Sequence, residues 1–234
     1  MKNASTIHRL NVSLDQVFPP IWRRIEIESD VPLDFVAEAI RCAFGWSFTH
    51  GCEFNIKQRR YGTPNGWARF DPEQDFYARE RAINKQKLDS HQHRKAMDEL
   101  FGWYQSVPKT QDDDEDSIPS LGELIKRAGA KFIFIFDFGD CWSHTIRVEK
   151  IEPALSGIAY PRCIDGAGAN PLEDCGGPRN LMAVFEAIQN PERSRNEIVD
   201  RIVKEWVGDG WDFTHFSVDE ANQRFRKTFS RSKR

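Results

Sequence analysis

Two polar segments hold the residue types that do chemistry: D-F-G-D-C-W-S-H over residues 137–144, and P-R-C-I-D-G-A-G-A-N-P-L-E-D-C-G-G-P over residues 161–178. Asp, His, Cys and Glu gathered this densely beside apolar stretches mark either a site or turns of special geometry. Asp137 closes an apolar run and His144 stands two positions beyond Trp142, so the pair would supply a carboxylate and an imidazole for proton transfer or metal binding. Joined by Asp140 and by Glu173 or Asp174, they would hold a divalent ion that activates water, the chemistry of a metal-dependent hydrolase or nuclease. The plainer alternative is a tight turn. Gly139 tolerates positive φ, Asp137 and Asp140 can bond nearby backbone N–H groups, and His144 becomes a hydrogen-bonded core residue.

A second constellation is thiol-rich. His50 and Cys52 lie two apart, and Cys163 and Cys175 bracket the second polar segment, so these four would make a zinc site if the fold brought them together. The paired C-x-x-C knuckle is missing, and thiols this far apart often simply pack. Nor is a phosphate cradle indicated: Gly166, Gly168, Gly176 and Gly177 fit neither G-x-G-x-x-G nor the P-loop pattern. D-F-G lacks every other kinase signature, and neither H-E-x-x-H nor G-x-S-x-G occurs. No cofactor is implied beyond zinc or another divalent metal.

The composition narrows the field. A chain of 234 residues with net charge −3 and pI near 6.1 has no whole-surface footprint for nucleic acid or an anionic membrane. No stretch approaches the roughly 20 apolar residues of a membrane span, and the five irregularly spaced cysteines fit reduced thiols, so a cytoplasmic protein is expected. The exception in charge is the tail at 224–234, where Arg224, Arg226, Lys227, Arg231, Lys233 and Arg234 stand without an acid and could track a phosphate backbone, or merely solubilise a terminus.

The elements that must position these groups follow from periodicity. Alternation predicts a strand over residues 7–14 with His8, Leu10, Val12 and Leu14 on one face, and an antiparallel partner over 21–28 with Ile21, Arg23, Ile25 and Ile27 inward. Because Arg23 and Arg24 alternate across that strand, one of them is expected to turn inward and pair with Asp137 or Asp140. A helix capped by Ser29 or Asp30 runs from Leu33 to a stop at Gly45, and a third strand carries His50, Cys52, Phe54 and Ile56 to the turn residues Gly62, Pro64, Asn65 and Gly66. A charged helical insertion occupies about 71–117, ending in a solvated acidic run, and a short helix follows over 119–128. Residues 131–137 form an interior strand, 142–149 another, 163–178 a Gly-rich loop, and helices cover 181–189, 194–207 and 218–229. Most tryptophans read as core anchors.

Taken together the motifs resemble the plasmid pRi ORF-three-like family, which also takes in insertion-element passenger proteins. The resemblance rests on Pro19-Pro20-Ile21-Trp22-Arg23-Arg24, on Gly45-Trp46 with His50 and Glu53-Phe54, on Asp137-Phe138-Gly139-Asp140 with Trp142 and His144, and on Pro161-Arg162-Cys163 through Asp174-Cys175-Gly176-Gly177-Pro178. It implies one α+β domain over residues 1–234, with a mixed, mainly antiparallel sheet that begins in a β-grasp-like strand, strand, helix, strand order. Family members carry H-x-H where this chain has His50 and Cys52, and a Cys where it has Asn170. Three readings follow: an accessory or interaction protein with a polar Asp/His/Cys pocket, a metal-dependent hydrolase, or a nucleic-acid binder through its basic tail.

Overall fold

Alternation along each strand decides which side faces the helices. The computed structural model describes residues 5–47, 49–62, 83, 92, 94–96, 99, 118–190, 192, 197–207 and 211–229. Strands β1 (Thr6–Leu14) and β2 (Trp22–Glu28) form the expected hairpin, and helix α1 (Leu33–Phe44) follows. Next come β3 (Cys52–Ile56), β4 (Arg59–Tyr61), the single turn α2 (Leu121–Leu124), β5 (Lys131–Phe136), β6 (Trp142–Pro153) and β7 (Arg162–Ala167). The chain ends in α3 (Gly177–Gln189), α4 (Glu197–Ile202), a π turn over Val203–Val207, and α5 (Val218–Phe229). The described strands make one sheet in the order β4-β3-β5-β6-β1-β2-β7, antiparallel at every pairing rather than mixed.

Register aligns the inward side chains in rows. Cys52, Phe136 and Trp142 make one row, Phe54, Phe134, His144 and Leu14 the next, and Phe132, Ile146, Val12 and Arg23 a third. All of these are buried, and α1 buries Leu33, Val36, Ala37 and Ile40 in the same hydrophobic cluster. Each fully buried large apolar side chain contributes about 1.5–3 kcal/mol, so these rows are the main stabilising element.

The third row ends in a charge. Arg23 is wholly inaccessible, yet it finds no carboxylate at either Asp137 or Asp140. Its fork donates instead to Ala43 O (3.0 Å), Trp22 O (2.9 Å), Ala167 O (2.8 Å) and Asn170 Oδ1 (3.2 Å), and the guanidinium stacks 4.1 Å from the Phe216 ring centroid. Arg24 faces the other way, to Glu149 and Asp165. The expected pairing with the β5–β6 turn therefore does not form, because the strand places both arginines far along the sheet from it.

Other boundaries differ for local reasons. The N-cap of α1 is Pro32, without a side-chain cap, while Ser29 Oγ is engaged by Thr6 and His8. Gly45 ends the helix as expected, with φ 74°. Strand β3 turns back at Lys57 and Gln58, both with positive φ, so a hairpin precedes Gly62. Helix α2 is a single turn capped by Ser120 in a capping box with Glu123, shorter than the 119–128 expected. The first part of the supposed loop is strand β7, paired with β2, and α3 starts at Gly177 rather than 181. Helix 194–207 is α4 followed by the π turn. The insertion at about 71–117 lies outside the described residues except for 83, 92, 94–96 and 99, each of them helical. Trp46 and Trp142 are core anchors, whereas Trp206 is exposed.

Strand β7 is an outer strand, and α5 closes it. Asn222 accepts from Cys163 N (2.9 Å) and donates to Cys163 O (2.8 Å), so its amide stands in for a neighbouring strand.

On the opposite face of the sheet Glu26 is nearly inaccessible between two guanidiniums. Arg9 donates to Oε1 at 3.0 and 2.7 Å, and Arg162 to Oε2 at 2.7 and 2.6 Å. Burial alone would raise the Glu26 carboxyl, but the two guanidiniums overcome that and hold it below the ordinary carboxylate range. A depressed pKa adds stability that is present above the unfolded-state value, about 4.3, and is lost as pH falls through the folded one. Glu26→Gln should cost about 2 kcal/mol in urea unfolding at pH 7, since it removes the buried anion that two guanidiniums share and leaves Arg9 with Glu152 alone. The difference from wild type should shrink on acidification below about pH 4.3; a difference independent of pH would refute the ion-pair account.

Candidate functional site

The polar groups that do meet lie where β5 ends. Asp137 leaves the strand with φ 54° and is locked there: its N–H donates to Gly51 O (2.9 Å), its carbonyl accepts from Cys141 N (2.6 Å) and its Oδ1 accepts from Gly139 N (2.8 Å). The turn expected around Gly139 is present, but the positive φ falls on Asp137 and Cys141 (57°) instead of on the glycine. Such conformations cost of order 1–3 kcal/mol for a non-glycine residue and persist only where surrounding structure enforces them.

Asp137 Oδ2 lies 3.5 Å from His50 Nδ1. On the other side of the imidazole, Nε2 lies 3.4 Å from Glu173 Oε1 and 3.3 Å from Asp174 Oδ1. Glu173 is held by Ser47, whose N–H donates to Oε2 (2.7 Å) and whose hydroxyl donates to Oε1. Asp174 also has positive φ (60°), with its carboxylate 65% exposed, while the His50 ring is 28% exposed and rests edge-on against Phe136. One imidazole and three carboxylates from three stretches of chain thus share a partly open surface cluster. The ligand atoms of His50, Asp137 and Asp174 all lie within 4.8 Å of one another.

The remaining expected residues have other roles. Asp140 Oδ2 accepts from Gly176 N (3.0 Å) at the start of α3, and Gly177 passes so close to Asp140 O that no Cβ would fit. Burial, then the Asp137 charge, raises the Asp140 carboxyl against the opposing hydrogen bond from Gly176. Asp140 therefore positions the 173–176 loop. Cys175 is buried, donates to Gly177 O, and is pushed up to about 12 by burial and the Asp140 charge. Cys52 is pushed up to about 11 by burial in β3, and Cys163 is buried in β7. Four strands separate β3 from β7, roughly 24 Å at about 4.8 Å per strand, so the four-residue zinc set is not assembled.

His144 is not joined to Asp137 either. It sits in the core row between Phe134 and Leu14, 4.8 Å ring to ring from Phe44, with Nδ1 3.0 Å from Trp142 O. Its Nε2 has no hydrogen-bond partner among the described residues, and burial lowers its pKa to about 4. Arg224 is drawn out of the basic tail as well: as part of α5 it donates to Cys42 O (2.8 Å) and Ala43 O (3.4 Å). Tail residues 230–234 lie outside the described residues.

Sequence reasoning missed Ser47, which looks like any polar residue after a helix stop. It also missed the purpose of Arg23, although a lone arginine among Ile21, Ile25 and Ile27 was a visible signal.

The arrangement defines an α+β protein with an antiparallel sheet and a histidine–carboxylate cluster at one strand end. The chain belongs to the family described as plasmid pRiA4b ORF-3-like protein, whose model matches residues 6–220. It is 27% identical over 194 residues to the uncharacterized protein y4hQ of Sinorhizobium fredii (strain NBRC 101917 / NGR234), covering 82% of this chain and 78% of that one. It also resembles the crystal structure of a protein of unknown function, MM3350 from Methanosarcina mazei Go1, with TM-score 0.62 and 20% identity over 93% of this chain and 98% of that one, a likeness of fold. Among the described residues no helix is long and apolar enough to cross a membrane.

The core histidine makes a testable contribution to stability. A base with a folded pKa of about 4 and an unfolded value near 6.5 stays neutral in the fold while the unfolded chain takes up a proton, so stability drops as pH falls between those values. The loss should reach roughly 3 kcal/mol, and His8, also lowered by burial, acts in the same direction. Urea unfolding of wild type and His144→Gln from pH 7.5 to 4.5 should give converging curves; parallel curves would remove the buried neutral imidazole from the account.

Proposed function

We propose that this protein is an accessory or interaction protein of its plasmid-associated family whose cluster at the β5–β6 turn holds a divalent cation. The observation that carries the reading is the convergence of His50, Asp137 and Asp174, whose ligand atoms all lie within 4.8 Å of one another. In this reading those three residues are the ligands. Glu173, bonded at both oxygens by Ser47 and 3.4 Å from His50 Nε2, orients the imidazole, the part a carboxylate commonly plays behind a metal-bound histidine. The donors are hard oxygens with one imidazole, which suits zinc or manganese. Free thiols at all five cysteines support a reducing cytoplasm as the working compartment.

A second reading gives the same ion a reaction. Three protein ligands leave a coordination position for water, and the exposed Asp174 side leaves room for a substrate, the layout of a metal-dependent hydrolase or nuclease. Hydrolysis of bis(p-nitrophenyl) phosphate or of DNA by zinc- or manganese-loaded protein, absent without metal, would select this reading over the accessory one. Nucleic-acid binding through residues 224–234 retains Arg226 and Lys227, both exposed on α5, and a binding constant that ignores salt would count against it.

The metal reading is tested by calorimetric titration of chelator-treated protein with Zn2+ and Mn2+. One ion should bind per chain, and Asp174→Asn should weaken it about tenfold or more with an unchanged Tm, because the side chain is exposed and Asn tolerates the left-handed backbone. Equal affinity in wild type and Asp174→Asn, or no binding at all, would sink it.

A further inference from the structure

Away from that cluster, a cavity of about 410 Å3 opens between the start of α5, residues 211–217 and the loop after β7, lined by Asn170, Trp211, Phe216, Ser217, Glu220 and Arg224 among others. Its inner wall is cationic. Arg224 is half-buried there, and Arg23 lies directly behind two lining residues, stacked on Phe216 and donating to Asn170 Oδ1. Neither arginine has a carboxylate within ion-pair distance among the described residues. Both donate to the last carbonyls of α1, Arg23 to Ala43 O and Arg224 to Cys42 O and Ala43 O, and the carboxylate whose charge reaches Arg224, Glu220, makes no contact with it and stands out at the exposed rim. Helix capping therefore explains the positions of the arginines but gives neither a contacting carboxylate among the described residues.

The acids near the cavity stand at its mouth. Glu220 is 55% exposed and faces His215 at 3.4 Å, and Asp212 is exposed with Oδ1 committed to Thr214 N and Oγ1. Charges in water are screened far more than those in the wall, so the inner end of the cavity is electropositive while its rim is not. Trp211 and Phe216 add apolar surface beside this end.

We infer that this cavity binds a small organic oxyanion, a carboxylate or phosphate monoester on a planar or apolar body, with Arg224 contacting the anion and Trp211 and Phe216 flanking the body. Ser217 already accepts from Glu220 N (3.3 Å), so its hydroxyl proton remains to be donated to a ligand. The site is separate from the histidine–carboxylate cluster, and its existence does not depend on a metal there.

Tryptophan fluorescence and calorimetry with phenyl phosphate, benzoate and the uncharged control phenol read this directly. Phenyl phosphate or benzoate should bind at least tenfold more tightly than phenol. Arg224→Met should weaken the anion about tenfold or more, the worth of a charge-assisted hydrogen bond, whereas Glu220→Gln should tighten it about two- to fivefold by removing a rim charge of the wrong sign. The second variant alters an exposed side chain and keeps the test decisive if Arg224→Met unfolds. Equal binding of phenol and phenyl phosphate, weaker anion binding by Glu220→Gln, or no anion binding by wild type would each overturn the proposal. Adding EDTA should leave anion binding unchanged, which separates failure here from failure of the metal reading.

Discussion

The structure turns on a guanidinium removed from water without an anion beside it. Burying an unpaired charge costs several kcal/mol, and Arg23 meets that cost by spending four hydrogen bonds on neutral oxygens and lying between aromatic faces at Phe44 and Phe216. Those oxygens belong to the end of α1, to β2 and β7, and to the loop at Asn170. One side chain thus ties the helix stop to the stretch that carries Glu173 and Asp174 a few residues later. Burial with the nearby Arg224 charge brings its pKa to about 9, the signature of a cation held where the surroundings resist it.

The same tie explains why Gly45 has no side chain. Its φ of 74° suits glycine, and a Cβ there would come within 2.5 Å of the Asn170 amide. The stretch after the helix and the loop after β7 therefore run in contact, which brings Ser47 to Glu173 and His50 to Glu173 and Asp174. Asp140 fastens the far end of that loop through Gly176 N. The cluster is held at both ends by contacts that are not themselves part of it.

Much of the framework could be read in the sequence because period-two alternation reports burial directly: β1, β2, β5 and β6 lie where their apolar residues recur, and α1 stops at its glycine. Strand β7 escaped because Arg162, Asp165 and Gly166 hide its alternation, and its pairing to β2 is a long-range event that local pattern cannot encode. The site was half legible. Asp137, Glu173 and Asp174 were named in one group with His144 as its imidazole, while His50, the imidazole the structure sets among them, was named with the thiols. His144 takes the plainer of its two expected roles, a hydrogen-bonded core residue, because alternation puts it on the buried face with Trp142, Ile146 and Val148. His50 was joined to Cys52 by strand spacing, although it precedes the strand and is free of its alternation.

The amide of Asn222 over Cys163 has a wider consequence. An outer strand with free backbone groups invites another chain to add a strand and continue the sheet, the first step toward fibres. Here an incoming strand would have to strip away a packed helix before its first hydrogen bond could form. At that end the protein is finished as a surface: growth by sheet extension is closed to it, and whatever molecule it meets there will meet a helix.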